Sequence, residues 1–293
     1  MTKSTPPLPR FRRTLVAAII LAFFLGGCGS GSDTTTDTRS SVRIKGSDTM
    51  LLLTTRWAED FMRVHPRIAV YADGGGTETG IEALIEGETD LCAASRTLRA
   101  EEVRRLLQKR GSLGISVLTA KDALSVYLHP DNPVGSLTIE QITGLFTGEI
   151  RNWRTVGGAD LPVTVISRPP NSGTFLFFEE HVLQGRPYSR DAETVASTDA
   201  VIRRVRELPG AIGYGGLPFG EDLRHVAVDG IKPTADNVRN GSYPISRYLY
   251  LYASRPLEGE LKLFVDWVLS NAGQTVVRNV GYIPLWEVPS DGK

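Results

Sequence analysis

Cysteine is nearly missing from this chain. Two occur in 293 residues, Cys28 and Cys92, too few for a disulfide framework. Histidine is scarce as well. His65, His129, His181 and His225 lie far apart in sequence and form none of the paired spacings of a metal site. No metal and no other cofactor is expected. Neither charge sign is in excess, with 33 basic and 33 acidic residues. A basic stripe and a basic-aromatic motif are both lacking, which argues against a nucleic-acid partner. The Gly-x-Ser-x-Gly elbow of hydrolases and the Gly-Lys-Ser/Thr end of a P-loop are lacking too. The longest apolar run, Leu15 to Leu25, falls short of the roughly 20 residues that span a bilayer.

That run belongs to an export signal. Lys3, Arg10, Arg12 and Arg13 precede it, and Leu25-Gly26-Gly27-Cys28 follows. Basic residues, an apolar stretch, small residues and then a cysteine read as a lipoprotein signal, residues 1–27, with lipid attached to Cys28. The segment after Cys28, up to residue 41, is Gly, Ser, Thr, Asp and Arg, the composition of a flexible tether. The mature protein is then extracytoplasmic, at the periplasmic or extracellular face and held to the membrane by lipid. Without the four leader cations, 29 basic residues face 33 acidic ones. The 252 residues from Val42 onward suffice for a sizeable core and for two lobes.

Strand and helix signals alternate along this stretch. Val42–Lys45, Ile68–Tyr71, Asp90–Ala94, Ile115–Leu118 and Ala123–Leu128 read as strands. Thr49–Val64, Ile81–Ile85 and Glu101–Lys109 read as helices, the last charged and exposed. Further on, helices are expected over Thr138–Phe146, from Thr174, over Asp199–Leu208 and over Leu261–Leu269. Strands are expected over Val163–Ile166, Ala211–Tyr214 and Leu249–Tyr252. The class is α/β with mostly parallel sheets flanked by helices. Ligands of such sheets sit outside the carboxyl ends of strands, where glycine-rich loops enter helices. Gly46–Thr49, Gly74–Gly80 and Ser95–Thr97 are loops of that kind.

The loop Arg168-Pro169-Pro170-Asn171-Ser172-Gly173-Thr174 is the most informative stretch. It leads into the apolar-periodic run from Phe175 to His181, so hydroxyls and free backbone N–H groups gather at the positive end of a helix. Arg168 adds a planar fork that suits a tetrahedral oxyanion. Asp48 reads most simply as the N-cap of the helix after it, or else as an acceptor for a protonated oxyanion. Arg96 either belongs to the site or pairs with Glu101 or Glu102. Cys92 reads as a core thiol, and Trp57 and Trp267 as core residues. Ser172 lacks a base with an orienting acid, so covalent catalysis is not expected and the protein is not read as an enzyme.

Taken in order, several segments resemble one family. They are Gly46-Ser47-Asp48-Thr49-Met50, Gly74-Gly75-Gly76-Thr77, Ala94-Ser95-Arg96, Phe146-Thr147-Gly148-Glu149-Ile150, the Arg168–Thr174 loop, Gly210-Ala211-Ile212-Gly213-Tyr214, Tyr243-Pro244-Ile245-Ser246-Arg247 and Gly281-Tyr282-Ile283-Pro284-Leu285. The chain is similar to the phosphate-binding lipoproteins of the phosphate ABC importer, the PstS family of the periplasmic-binding-protein type II fold. The resemblance implies a two-lobed clamshell joined by two hinge strands near Leu124–Leu128 and Leu249–Tyr252. Lobe 1 would comprise residues 42–122 and 246–293, and lobe 2 residues 123–245. It implies a monomer that holds inorganic phosphate between its lobes and delivers it to the importer's permease subunits. Carried over, the ligand-binding residues are Thr49, Met50, Thr77, Ser95, Arg168, Ser172, Gly173 and Thr174, with Ser47, Asp48 and Arg96 beside them. Members of that family carry a proton-accepting aspartate near the position of Ser95. This chain reads Ser95-Arg96 there, which leaves Asp48 or Ser95 to accept. The alternatives are a binder or sensor of another oxyanion, such as sulfate, molybdate or a phosphonate, and, beyond binders, a surface phosphatase.

Overall fold

The computed structural model describes residues 40–288, which belong to one unit. The signal 1–27, the lipidation site Cys28 and most of the tether lie outside the described residues. The chain opens with β1 (Ser40–Gly46), α1 (Asp48–Val64), β2 (Ile68–Asp73), α2 (Thr77–Glu86), β3 (Leu91–Ala94) and α3 (Ala100–Arg110). The long strand β4 (Ile115–Leu128) then leads to β5 (Ser136–Leu137), α4 (Ile139–Thr147), a 3-10 turn at Trp153–Val156, β6 (Thr164–Ser167) and α5 (Gly173–His181). Next come β7 (Glu193–Thr194), α6 (Thr198–Glu207), β8 (Ala211–Gly216), β9 (Arg224–His225), β10 (Ala227–Val228) and α7 (Ala235–Arg239). The last elements are β11 (Ser246–Ala253), α8 (Gly259–Val268) and α9 (Asn271–Val280). Among the described residues no helix is long and apolar enough to cross a membrane.

The main sheet runs β2-β1-β3-β11-β4-β8-β6-β7, with β9 beside β4. Its flanks are parallel: β1 with β2 and β3, and β6 with β7 and β8. The pairs made by β4 and β11 are antiparallel, so the sheet is mixed at its centre while each flank keeps the mostly parallel pairing expected from the sequence. The two strand signals at 115–118 and 123–128 turn out to be one strand. Thr119, Ala120 and Asp122 between them are buried, and β4 pairs first with β11 and then, from Leu124, with β8.

Two large apolar cores flank this central pair. One gathers Ile44, Met50, Leu53, Trp57 and Phe61 with Val117, Leu251 and Phe264. The other gathers Leu124, Val126, Phe146, Trp153, Phe178 and Tyr214 with Ile245 and Ile283. A 17-residue helix such as α1 buries one apolar stripe against its sheet, so each core ties its own helices to its own strands. We call the two groups the first and second halves. Cys92 is fully buried in β3, and burial pushes its thiol far above the ordinary range. Trp57 is buried, Trp267 is partly buried against the first core, and Trp153 donates from its ring N–H to the Gly210 carbonyl.

Two local expectations change. Helix α2 begins at Thr77, four residues before the apolar signal at Ile81. Gly76, at φ 97°, takes a left-handed turn that lets Thr77 become the first helical residue. Helix α3 is not simply exposed, because Leu106 packs in an apolar cluster and Glu102 is buried against Arg96.

Candidate functional site

Three helices begin at one place. Thr49 at the start of α1 meets Thr174 at the start of α5, with Oγ1 to Oγ1 at 2.8 Å. Thr77, the first residue of α2, lies 3.3 Å from the Ser95 hydroxyl after β3 and accepts the Ser95 N–H at 3.3 Å. Gly173 lies against both. A Cβ there would come within 2.4 Å of Thr77 Oγ1 and 2.7 Å of Ser95 Oγ. The bare α-carbon thus keeps a small polar cradle open between α5 and the first half. Each helix start carries free N–H groups and a partial positive charge, and three of them converge here. Thr49, Thr77, Ser95, Ser172 and Thr174 are all buried.

Arg168 follows β6 and is 2% exposed. Its Nη1 donates to Thr198 Oγ1 at 3.2 Å. Its Nη2 donates to the Ala196 carbonyl at 3.0 Å and to Asp48 Oδ2 at 2.5 Å. Its Nε is buried and has no hydrogen-bond partner. A buried guanidinium N–H of this kind carries a desolvation penalty that an anion would relieve. The loop behind it is braced: the Arg168 N–H donates to Tyr214 Oη, which also meets Ser167 Oγ and accepts from Tyr188. Burial keeps the Tyr214 hydroxyl protonated well into the basic range.

Asp48 does not cap its own helix. Ser47 occupies the cap position of α1 without a side-chain cap bond. The Asp48 carboxylate reaches sideways instead, accepting the Gly75 N–H at 2.8 Å and the Arg168 fork. It is the carboxylate of the site, with each oxygen already holding one donor. The Met50 side chain is buried in the first core, and its N–H donates to the Ser47 carbonyl at 3.0 Å. Ser47 donates its N–H to the Ala93 carbonyl. The Ser172 side chain caps α5, accepting the Phe175 N–H at 3.3 Å, so its own hydroxyl hydrogen remains to donate. Arg96 binds Glu102 through both Nη atoms, at 2.8 and 2.7 Å, and the Thr97 carbonyl. Of the two roles open to it from sequence, the structure shows the ion pair.

Other contributors went unassigned in the sequence. Thr198 and Ala196 hold the Arg168 fork, and a Ser197-Thr198 cap before an amphipathic helix was the available signal. Asn171 joins the halves: its carbonyl accepts the Glu78 N–H at 3.1 Å, and its side chain donates to the Gly75 carbonyl. Tyr282 donates its hydroxyl to the Thr49 carbonyl. His181 lies at the far end of α5, where its Nδ1 meets the Phe177 carbonyl. Among the described residues, no group of three or more His, Cys, Asp or Glu could hold a metal ion. The geometry therefore offers one cation, several hydroxyls able to donate or accept, and N–H groups at helix starts.

Known proteins resemble this chain along most of its length. Residues 31–272 match the model of the PBP superfamily domain. The phosphate-binding protein PstS of Pseudomonas aeruginosa is 32% identical over 263 residues, covering 82% of this chain and 81% of that protein. The chain belongs to the PstS family of the PBP superfamily. The PstS of Bacillus subtilis is 29% identical and matches 94% of this chain and 93% of its own. Among solved structures, a phosphate ABC transporter substrate-binding protein from Clostridium perfringens with bound phosphate aligns at a TM-score of 0.79 and 31% identity. It covers 84% of this chain and all of its own. An ABC-type phosphate transport receptor from Vibrio cholerae aligns at 0.69 and 27% identity, over 84% of this chain and all of its own. The two-lobed α/β clamshell expected from the sequence is this family's fold.

Proposed function

We propose that this protein is the extracytoplasmic component of an ABC importer that captures inorganic phosphate between its two halves and delivers it to the permease. The names of its relatives support the ligand and the transport system. The observation that carries the reading is the buried Arg168 fork. It is anchored in the second half, bonded to Asp48 of the first, and set where three helix starts converge.

Thr49, Thr77, Ser95, Ser172 and Thr174 are the proposed hydroxyl ligands, with the Gly173 N–H at the start of α5 beside them; the Met50 N–H, expected from the sequence to donate as well, is already given to the Ser47 carbonyl. Arg96, given its bond to Glu102, is left out. Each hydrogen bond to a charged group is worth about 1.5–3 kcal/mol. A handful reach micromolar affinity, which corresponds to about 8 kcal/mol. No covalent step is needed, and binding followed by closure describes the cycle. Lobe bounds at 42–122 with 246–293 and at 123–245 are supported by the partition of the two cores, except that Ile283 packs into the second and Phe219 against the first. Lipid on Cys28 and a monomeric state complete the proposal.

Asp48 is the proposed acceptor for the proton of hydrogen phosphate. Sulfate has no proton to give and would meet the carboxylate as a like charge. Calorimetric titration tests this. Phosphate should bind at micromolar concentration or below, and sulfate at least tenfold more weakly. Asp48→Asn should narrow that gap. Equal affinity, or a preference for sulfate, would remove phosphate as the ligand and favour another oxyanion.

A further inference from the structure

Arg247 lies outside the ring of groups around Arg168, yet it touches both halves. It stands on β11 directly opposite Asp122 of β4 in the antiparallel register. Its Nε and Nη2 donate to Asp122 Oδ2 at 3.0 and 2.9 Å, and its Nη1 donates to the Ser95 carbonyl at 3.2 Å. Its guanidinium carbon sits 5.5 Å from the ring centre of Phe177, on the helix that begins at Gly173. The Asp122 side chain is fully buried and accepts the Leu217 N–H with its other oxygen. Burial pushes the Asp122 carboxyl up, and the Arg247 charge and bonds pull it back. One planar group thus contacts the loop carrying Ser95, the strand pair joining the halves, and the helix carrying Ser172 and Thr174.

We propose that Arg247 is a positioning residue for anion capture, fixing the Ser95 loop to the connecting strands and clasping α5 through Phe177 when the halves close. The inference rests on the anion binding beside Arg168. Three features favour it. The Asp122 bonds lie within the connecting pair β4–β11, so they persist whether or not α5 moves. The Phe177 contact runs to the other half, so it forms only when α5 is near. Both residues also line a cavity of about 450 Å³, with Tyr248, Leu176 and His181 on its walls. That space lets the stacked pair separate without repacking a core. Only an arginine makes all these contacts, because its fork bonds in the plane while its face meets an aromatic ring.

Stopped-flow kinetics with inorganic phosphate test this on Arg247→Lys and Phe177→Leu. Lysine keeps the charge beside Asp122 and loses the fork. A cation–aromatic contact in a desolvated place predicts release faster by roughly 5–30-fold, with association within about twofold. The thermal midpoint without phosphate should stay near that of the wild type, while the rise caused by saturating phosphate shrinks. Combining the two changes should cost no more than the worse single one, since both remove the same contact. Unchanged release in folded Arg247→Lys, with or without a lower phosphate-free midpoint, overturns the proposal and leaves a structural residue. A wild type that binds no phosphate overturns the site reading as well, and so is told apart from failure of this inference alone.

Discussion

Arg168 and Arg96 look alike in the sequence and nearly alike in burial. Each follows the end of a strand, each is more than nine-tenths buried, and each has an Nε without a partner. Their carboxylates separate them. Arg96 finds Glu102 six residues on, binds it with both Nη atoms, and the same carboxylate accepts the Arg99 N–H at the start of α3. The circuit closes within one loop and one helix turn. Arg168 has a single carboxylate contact, to Asp48, 120 residues away in sequence and in the other half. A fork satisfied locally and twice is a brace. Both arginines keep an unpartnered Nε, but only Arg168 reaches a carboxylate of the other half, at the place where the starts of α1, α2 and α5 meet.

The sharpest way to break this contrast is to remove Arg168. Arg168→Met should weaken phosphate binding by roughly 10²–10⁴-fold, the loss of two hydrogen bonds to a charged partner. Arg168→Lys should recover only part of it, because the ammonium lacks the planar fork. Titration calorimetry reads both. Binding within tenfold of the wild type in Arg168→Met would make the two arginines equivalent and end the comparison.

Gly173 sharpens the contrast from the steric side. Its position is the first of α5, where alanine suits the helix better than glycine does. The added methyl would nonetheless sit within 2.4 Å of Thr77 Oγ1. Overfilling a tight place costs about 1–3 kcal/mol, so Gly173→Ala should weaken phosphate binding by roughly tenfold or more. Its phosphate-free thermal midpoint should fall little, because the clash runs between the two halves and their separation without phosphate relieves it. A lower midpoint with intact affinity would mean that the cradle is a packing contact and not a ligand site.

The convergence on Arg168 was half legible in advance. Polar loops running into periodic apolar stretches marked the starts of α1, α2 and α5, because helix ends need caps and sequences advertise them. Arg168 stood out beside Ser172, Gly173 and Thr174 for the same reason. That Asp48 would leave its own helix for Gly75 and Arg168 was not legible, since local spacing favours the cap and only tertiary contact redirects the carboxylate. The single long strand at 115–128 was missed because Lys121 and Asp122 break the apolar run. Asp122 is buried only because Arg247, 125 residues later, neutralises it. The start of α2 at Thr77 was misplaced because a left-handed Gly76 leaves no apolar trace. Short pairings such as β7 with β6, two residues long, carry no periodic signal at all.

The smallest effect on binding should come from Arg96, and the effect on stability should be the larger one. Burial raises the Glu102 carboxyl, but the bonds from Arg96 and the Arg99 N–H outweigh it and hold its pKa below the usual carboxylate value. A carboxyl depressed in the folded state stabilises the fold above its unfolded pKa, near 4.3, and that contribution fades as the pH falls through the folded value. Arg96→Met leaves Glu102 buried and unpaired. Breaking a buried pair in this way costs about 3–5 kcal/mol, which for a chain of this size lowers the thermal midpoint by roughly 6–20 °C. Phosphate affinity should stay within about threefold. Glu102→Gln should likewise melt below the wild type near neutral pH, with the gap narrowing as the solution is acidified below about pH 4. A gap that stays constant from pH 7 to pH 3 would mean that ionised Glu102 contributes nothing. The difference between a bracing arginine and a binding one would then need another explanation.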